Sequence, residues 1–446
     1  MKIFNLIKKQ IVKILSHPLF KTSFLYTFTD AINKATPFFI LPILTHYLSP
    51  SDYGVISNYN IYIYILTIFI SLNLSGLLGA NFYKMNKKEL AELMCNILLI
   101  MLFSFLICTF FISLTYEFIL SFLPIPLDYI FLGLFIALLQ TISNINLALW
   151  QLEAKPLKFG FFQITQTLLN VGISLLLIIL LNWGWRGRIC AVFIAAFIYG
   201  LFSLFLVWRR GYLKLTIKRT YIEEVLKFGV PLLPHALSIW IRTGVDRILV
   251  TTYFGTAEAG LYSTGFQFGL LVSFLTMAFN NAYVPYLFKE LSIEDSIALS
   301  LKKLKIVKFT YVYMLGLIIV CLVLFYVSIF IIEHFLGLQY NNAAIYVPWS
   351  MLSQMFQGMY LMFVCFVFYS KKTSGLGWIT MGCSLLQIGL SFFLLKSLGP
   401  IGIAYSSVVI SLLNFVVVWA YSHKVFEMPW FSVFHPREIL IKRTAD

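Results

Sequence analysis

The chain has 446 residues, 60% of them hydrophobic and only 11% charged, with a net charge of +15 at pH 7. Soluble domains devote about 25% of their residues to charge, so a soluble enzyme is excluded and an integral membrane protein indicated; mean hydropathy is +0.88. No stacking-aromatic motif or groove-reading module accompanies the positive charge, which reads as an anchor on the cytoplasmic side and excludes nucleic acid as a partner.

The first stretch, MKIFNLIKKQIVKILSHPLFK, is basic and mildly amphipathic and lacks an A-x-A-like cleavage site. It reads as a cytoplasmic lead-in rather than a removed signal. Apolar runs long enough to cross a hydrocarbon core of about 30 Å then follow one another. They predict twelve spans, at roughly 22–47, 55–82, 92–114, 128–150, 157–181, 188–207, 228–253, 260–288, 307–334, 343–369, 375–395 and 400–422. Segment 115–127, broken by Pro124 and Pro126, reads as an outer loop. With the N-terminus inside, 27 of the 33 Lys and Arg fall on inner segments, and only Arg186, Arg188 and Lys396 on outer loops. That bias requires an even span count with both termini cytoplasmic. The six cysteines stand singly in apolar runs, without metal-ligand spacing. They read as small buried hydrophobes. No metal, no cofactor and no catalytic residue is expected. A phosphate-cradling G-x-x-x-x-G-K-[ST] loop does not occur, so nucleotide hydrolysis by that route is excluded.

The chain repeats itself. THYLSPSDYGVIS (45–57) matches TTYFGTAEAGLYS (251–263) at a constant offset, with Thr45/Thr251, Tyr47/Tyr253, Gly54/Gly260 and Ser57/Ser263 identical. Each stretch leaves one span and enters the next. The fold class expected is therefore all-α integral membrane: twelve transmembrane helices in two parallel six-helix halves around a central cavity. The halves are 1–207 and 228–446, and the linker between them, 208–227, is basic and lacks an apolar run.

Two spans carry charges that lipid would reject. The seventh holds Pro231, Pro234, His235, Arg242, Asp246 and Arg247; the first holds Asp30 and Lys34. At about 100° per residue, His235, Arg242 and Asp246 fall within about 40° of one another. A charge facing lipid at mid-depth costs at least about 2.5–3.5 kcal/mol, so these side chains must face protein or a watery cavity. One reading is a buried structural ion pair. The other is a cationic cavity in which Arg242, Arg247 and Lys34 meet an anionic substrate, since a guanidinium can bond two phosphate oxygens at once. Asp246, Asp30 and His235 would then support those charges or exchange an ion. Pro231 and Pro234 predict a bend near the inner mouth, either a static kink or a hinge. Amides recur through the spans, among them Asn144, Gln163, Gln166 and Asn170. They serve helix packing, and they also suit sugar hydroxyls.

THYLSPSDYGVIS after a charged first span, and FGVPLLPHALSIWIRTGVDRILVTTYFGTAEAGLYSTGFQFG (228–269) with its Asp246-Arg247 pair, resemble the corresponding regions of bacterial polysaccharide repeat-unit flippases. These belong to the multidrug/oligosaccharidyl-lipid/polysaccharide exporter superfamily. The sequence departs from them at His46, where the family often has Arg. The resemblance implies movement of an undecaprenyl-pyrophosphate-linked glycan, O-antigen or capsule, across the bacterial inner membrane by alternating access coupled to H+ or Na+. It also implies membrane lipids and the glycan polymerase machinery as partners. Three alternatives remain: a multidrug exporter of the same superfamily, whose cavity should favour carboxylates; a peptidoglycan-precursor flippase, which should show extra spans; and a membrane-embedded glycan polymerase or ligase, which should carry a large outer loop.

Overall fold

In a computed structural model the described backbone covers residues 18–292 and 296–430. Within it, the side chains of residues 18–24, 26–28, 30, 34, 121, 122, 296, 297 and 373 lie outside the description. Every regular element among the described residues is helical. The chain divides into two compact units, Met1–Gly260 and Leu261–Asp446.

In the first unit, α1 runs Pro18–Tyr47, α2 Pro50–Ser71, α3 Leu74–Asn81, α4 Lys87–Phe122, α5 Leu127–Leu152, α6 Pro156–Leu175, α7 Gly184–Arg209 and α8 Arg219–Gly229. The repeated motif explains the start of α2. Ser49 and Asp52 form a reciprocal capping box, and Pro50 sits where a helix needs no N–H. Asn86 and Glu89 cap α4 in the same way. That helix runs on through Phe122, so most of the expected outer loop is helical and only 123–126 connects α4 to α5. The core joins α2, α4, α5 and α7 through Tyr59, Tyr62, Leu66, Phe105, Leu134 and Ile189. On α4, Phe103, Leu106, Phe110, Leu114 and Phe118 are exposed. Such a run suits hydrocarbon rather than water.

A 3-10 turn, Val230–Leu232, leads from α8 into α9, Leu233–Leu291. Gly255, with φ 86° and ψ 173°, breaks α9 into two arms without a loop. The first arm belongs to the first unit. It packs on α2 through the Trp240 Nε1 donating to the Ile61 carbonyl at 3.0 Å and Asn58 donating to Thr251. At the break, the Ser51 and Thr256 hydroxyls bond at 2.6 Å.

The second unit holds the rest of the second arm, α10 Ser296–Phe335, a 3-10 stretch Leu338–Tyr346, α11 Val347–Tyr369, α12 Thr373–Leu398 and α13 Pro400–Val425. Its core gathers Leu287, Val307, Phe363, Phe366, Val418 and Trp430. Ten helices among the described residues are long and apolar enough to cross a membrane. One of these is the whole run Arg219–Leu291, which turns at Gly255. The 30-residue helix α1 lies outside those ten.

Candidate functional site

The charged span expected at 228–253 is the first arm of α9. Asp246 is 4% exposed. Arg242 and Arg247 are half-buried and His235 is exposed. Arg247 Nη1 donates to the Thr243 carbonyl at 3.1 Å, and Tyr53 of α2 lies within electrostatic range of both Arg247 and Arg188. Pro231 sits in the 3-10 turn and Pro234 in the first turn of α9, where a missing N–H costs little. Asp30 and Lys34 stand on α1, and their side chains lie outside the described residues.

A polar cavity of about 380 Å³ lies among α1, α5, α6 and α7. It is lined by Asn33, Asn144, Gln163, Gln166, Asn170 and Arg188, with Thr36 and Thr167 beside them. Residues 163, 166, 167, 170 and 174 recur at helical spacing, so α6 presents one polar stripe. Arg188 is the correction here. Read as outer-loop charge, it instead sits in the second turn of α7. Its Nη1 donates inward to Asn170 Oδ1 and to Ser174 Oγ at 2.5 Å. Across the cavity Thr167 donates to Asn33 Oδ1. Gln163 Oε1 is buried and accepts no hydrogen bond within the described structure. No carboxylate lines the cavity among the described residues. The site thus offers neutral donors and acceptors around one guanidinium: it can hold hydroxyls and anionic oxygens. The signal that would have found Arg188 was the α6 stripe, whose amides required a polar partner on a neighbouring helix.

Alongside, α2, α4 and the first arm of α9 enclose an apolar cavity of about 660 Å³, lined by Ile65, Phe69, Ile107, Phe111, Trp240 and Ile248 among others. On the arm, Trp240, Val245, Ile248 and Leu249 line this cavity, interleaved around the helix with Arg242, Asp246 and Arg247.

The linker is ordered by charge. Glu92 of α4 takes Lys214 Nζ at 2.6 Å and also Lys218. Glu153, just past α5, takes Arg210 Nη2 at 2.5 Å, Tyr212 Oη at 2.7 Å and Lys155 Nζ at 2.7 Å. Burial raises the Glu153 pKa, but these three donors outweigh it and hold the carboxyl down at about 2. Burial and the neighbouring Glu153 push Tyr212 up to about 12. The hydrogen bond to Glu92 raises Lys218. Arg210 also donates to Asn146 Oδ1 at 2.9 Å and lies over the Trp150 ring at 5.3 Å.

Known proteins share this architecture. A profile of the family described as "Polysaccharide biosynthesis protein" matches residues 43–345, more than half of the chain. Two Haemophilus influenzae proteins are similar along most of their length. One, a membrane protein, is 24% identical and covers 83% of this chain and 89% of its own. The other, from the Lsg locus, is 25% identical and covers 89% and 98%. Among solved structures, an inward-facing multidrug resistance MATE family transporter of the MOP superfamily superposes with a TM-score of 0.71 at 13% identity, covering 88% of this chain and 94% of that one. A Vibrio cholerae MATE transporter gives 0.56 at 15% identity, covering 91% and 96%. The chain belongs to the polysaccharide biosynthesis protein family and carries the multi-pass helical fold of the MATE transporters of the MOP superfamily.

Proposed function

We propose that the protein is a flippase. It carries an undecaprenyl-pyrophosphate-linked oligosaccharide repeat unit from the inner to the outer leaflet of the bacterial inner membrane, for assembly of a surface polysaccharide such as O-antigen or capsule. One observation carries the reading: a member of a polysaccharide biosynthesis family lines a cavity with amides, hydroxyls and one arginine, and with no carboxylate among the described residues. Amides exchange hydrogen bonds with sugar hydroxyls in both directions. A guanidinium suits phosphate and carboxylate oxygens. A cationic drug would meet the wrong charge there.

In this proposal Arg242, Arg247 and Lys34 add positive charge along the path. Asp246 and Asp30 hold those cations in place or, with His235, couple transport to H+ or Na+. Pro231 and Pro234 form the hinge, and two six-helix halves, 1–207 and 228–446, alternate access with both termini cytoplasmic. The hydrocarbon chain of the substrate stays in lipid, against surfaces such as the 660 Å³ apolar cavity. The role is transport, handing the glycan to polymerase machinery, with no bond made or broken.

The test is surface polymer in a bacterium whose own repeat-unit flippase is deleted and whose matching glycan is present. Restoration by the parent chain, and its loss in well-expressed Arg242→Ala and Arg188→Ala variants, supports the proposal. Failure of the parent, together with raised resistance to cationic dyes, turns the reading to drug export.

A further inference from the structure

The second unit carries a cavity of another kind. It measures about 680 Å³ and opens between the end of the second arm of α9 and the start of α10. Its inner wall is aromatic. Tyr283 and Phe309 face each other with centroids 5.7 Å apart, backed by Phe279, which stacks on Tyr313 at 4.4 Å. Its rim is charged. Lys302 Nζ meets Glu290 Oε2 at 2.6 Å, with the two side chains 31% and 22% exposed. Lys305 also lines the space and is exposed, with no carboxylate within ion-pair distance among the described residues. Tyr286 adds an exposed ring and hydroxyl. The neighbouring Lys303 is engaged elsewhere: its Nζ donates to the Glu427 carbonyl at 3.0 Å and lies over the Phe426 ring. Glu294 and Asp295, between the two helices, lie outside the described residues.

The depth of this cavity is fixed by α10 itself. Lysines occupy positions 302, 303, 305 and 308, and from Val312 onward exposed Leu315, Ile319, Leu322 and Tyr326 face outward. The helix therefore passes from the polar layer into hydrocarbon within about two turns. A cavity with a cationic rim and an aromatic wall at that boundary matches one kind of molecule. Its phosphate oxygens would meet ammonium groups while its chains continue along apolar rings. A free phosphate would use the rim and leave the wall unfilled.

We propose that this cavity binds the phosphate headgroup of an anionic membrane lipid, with Lys302 and Lys305 as the cationic contacts, Tyr286 as a hydroxyl donor and Phe309 against the acyl chain. Glu290 competes with the phosphate for Lys302 and sets the affinity low enough for exchange. The site is separate from the polar cavity of the first unit and does not depend on which substrate that cavity takes.

The test uses the full-length protein in detergent. Phosphatidylglycerol or phosphatidylcholine is added and bound lipid is counted by native mass spectrometry. The parent should retain phosphatidylglycerol in preference to phosphatidylcholine. Lys302→Ala and Lys305→Ala should each lower that preference about fivefold, from about 1 kcal/mol per lysine at a membrane surface. Glu290→Gln should raise it, a direction that misfolding does not produce. Lys371→Ala/Lys372→Ala, at a turn elsewhere in the unit, should leave it unchanged. An equal fall in that control pair would reduce the effect to general surface charge and overturn the site. Full displacement of the lipid by millimolar inorganic phosphate would replace it with a free-phosphate site.

Discussion

Gly54 and Gly260 hold equivalent places in the internal repeat, and each rests against the helix that bears the other. A Cβ on Gly54 would come within 1.9 Å of the Thr256 carbonyl oxygen, and one on Gly260 within 1.8 Å of the Pro50 carbonyl oxygen. The offset that pairs Gly54 with Gly260 also pairs Pro50 with Thr256. The contact therefore exchanges with itself under the repeat, as an isologous interface does between two subunits. Small residues allow this approach where lipid leaves no hydrophobic drive between helices. Gly54→Ala or Gly260→Ala should each cost about 1–3 kcal/mol through overpacking against backbone. The double variant should cost less than the sum, because both relieve the same contact. Thermal unfolding in detergent reads this, and unchanged midpoints would dismiss the close packing.

Gly255 tests a different cost. Its φ of 86° and ψ of 173° belong to a region that is nearly glycine-only, yet no heavy atom lies within 4 Å of where a Cβ would stand. Gly255→Ala and Gly255→Ser should thus lose the same stability, about 1–3 kcal/mol, from backbone strain alone. A loss that grows with side-chain size would point to packing instead.

Arg188 bonds two neutral acceptors on α6 through Nη1 alone, bonds an ammonium can also make, whereas a lysine lacks the planar fork that grips an anion with two bonds. Arg188→Lys should retain part of the surface polymer. Arg188→Ala should lower it about tenfold or more, as expected where a charged hydrogen bond worth about 1.5–3 kcal/mol is removed. Polymer normalised to membrane expression measures both. Equal export by all three proteins would make Arg188 a packing residue.

Glu153 makes stability depend on acid. Its pKa in the fold, about 2, lies below its ordinary 4.5. The folded state therefore binds its proton less readily than the unfolded chain does. The stabilisation is full above pH 4.5 and fades as pH falls toward 2. Melting curves between pH 6 and pH 3 should show a decline that Glu153→Gln flattens. Identical slopes in the two proteins would remove Glu153 as its source.

The membrane character, the helical fold and the position of most spans were legible because hydrocarbon thickness imposes a length on apolar runs. Asp246 was legible as buried because lipid makes its exposure costly. The extension of α4 to Phe122 was not: Thr115, Tyr116 and Glu117 interrupt the apolar run while the backbone stays helical. Arg188 was missed for a related reason. Sequence places a residue in depth only to within a turn, and Arg188 follows Trp185, Arg186 and Gly187, which look like a loop. Only the facing Asn170 and Ser174 reveal that it points inward. The linker reads in the sequence as basic and without an apolar run, which carries no sign of its order. Its order comes from Glu92 and Glu153, which are distant in sequence.

That pinned linker has a mechanical consequence. From Arg219 to Gly255 the backbone is helical throughout, with a 3-10 turn but no slack. Lys214 and Lys218 clamp its root to α4. A load applied at this clamp travels a contour of about 35 Å to Arg242, at about 1.5 Å per residue, with no loop to absorb it. Along it only the hinge proposed at Pro231 and Pro234 can yield, so a change of charge at Glu92 would reach the half-buried Arg242 and Arg247 through the angle of that bend.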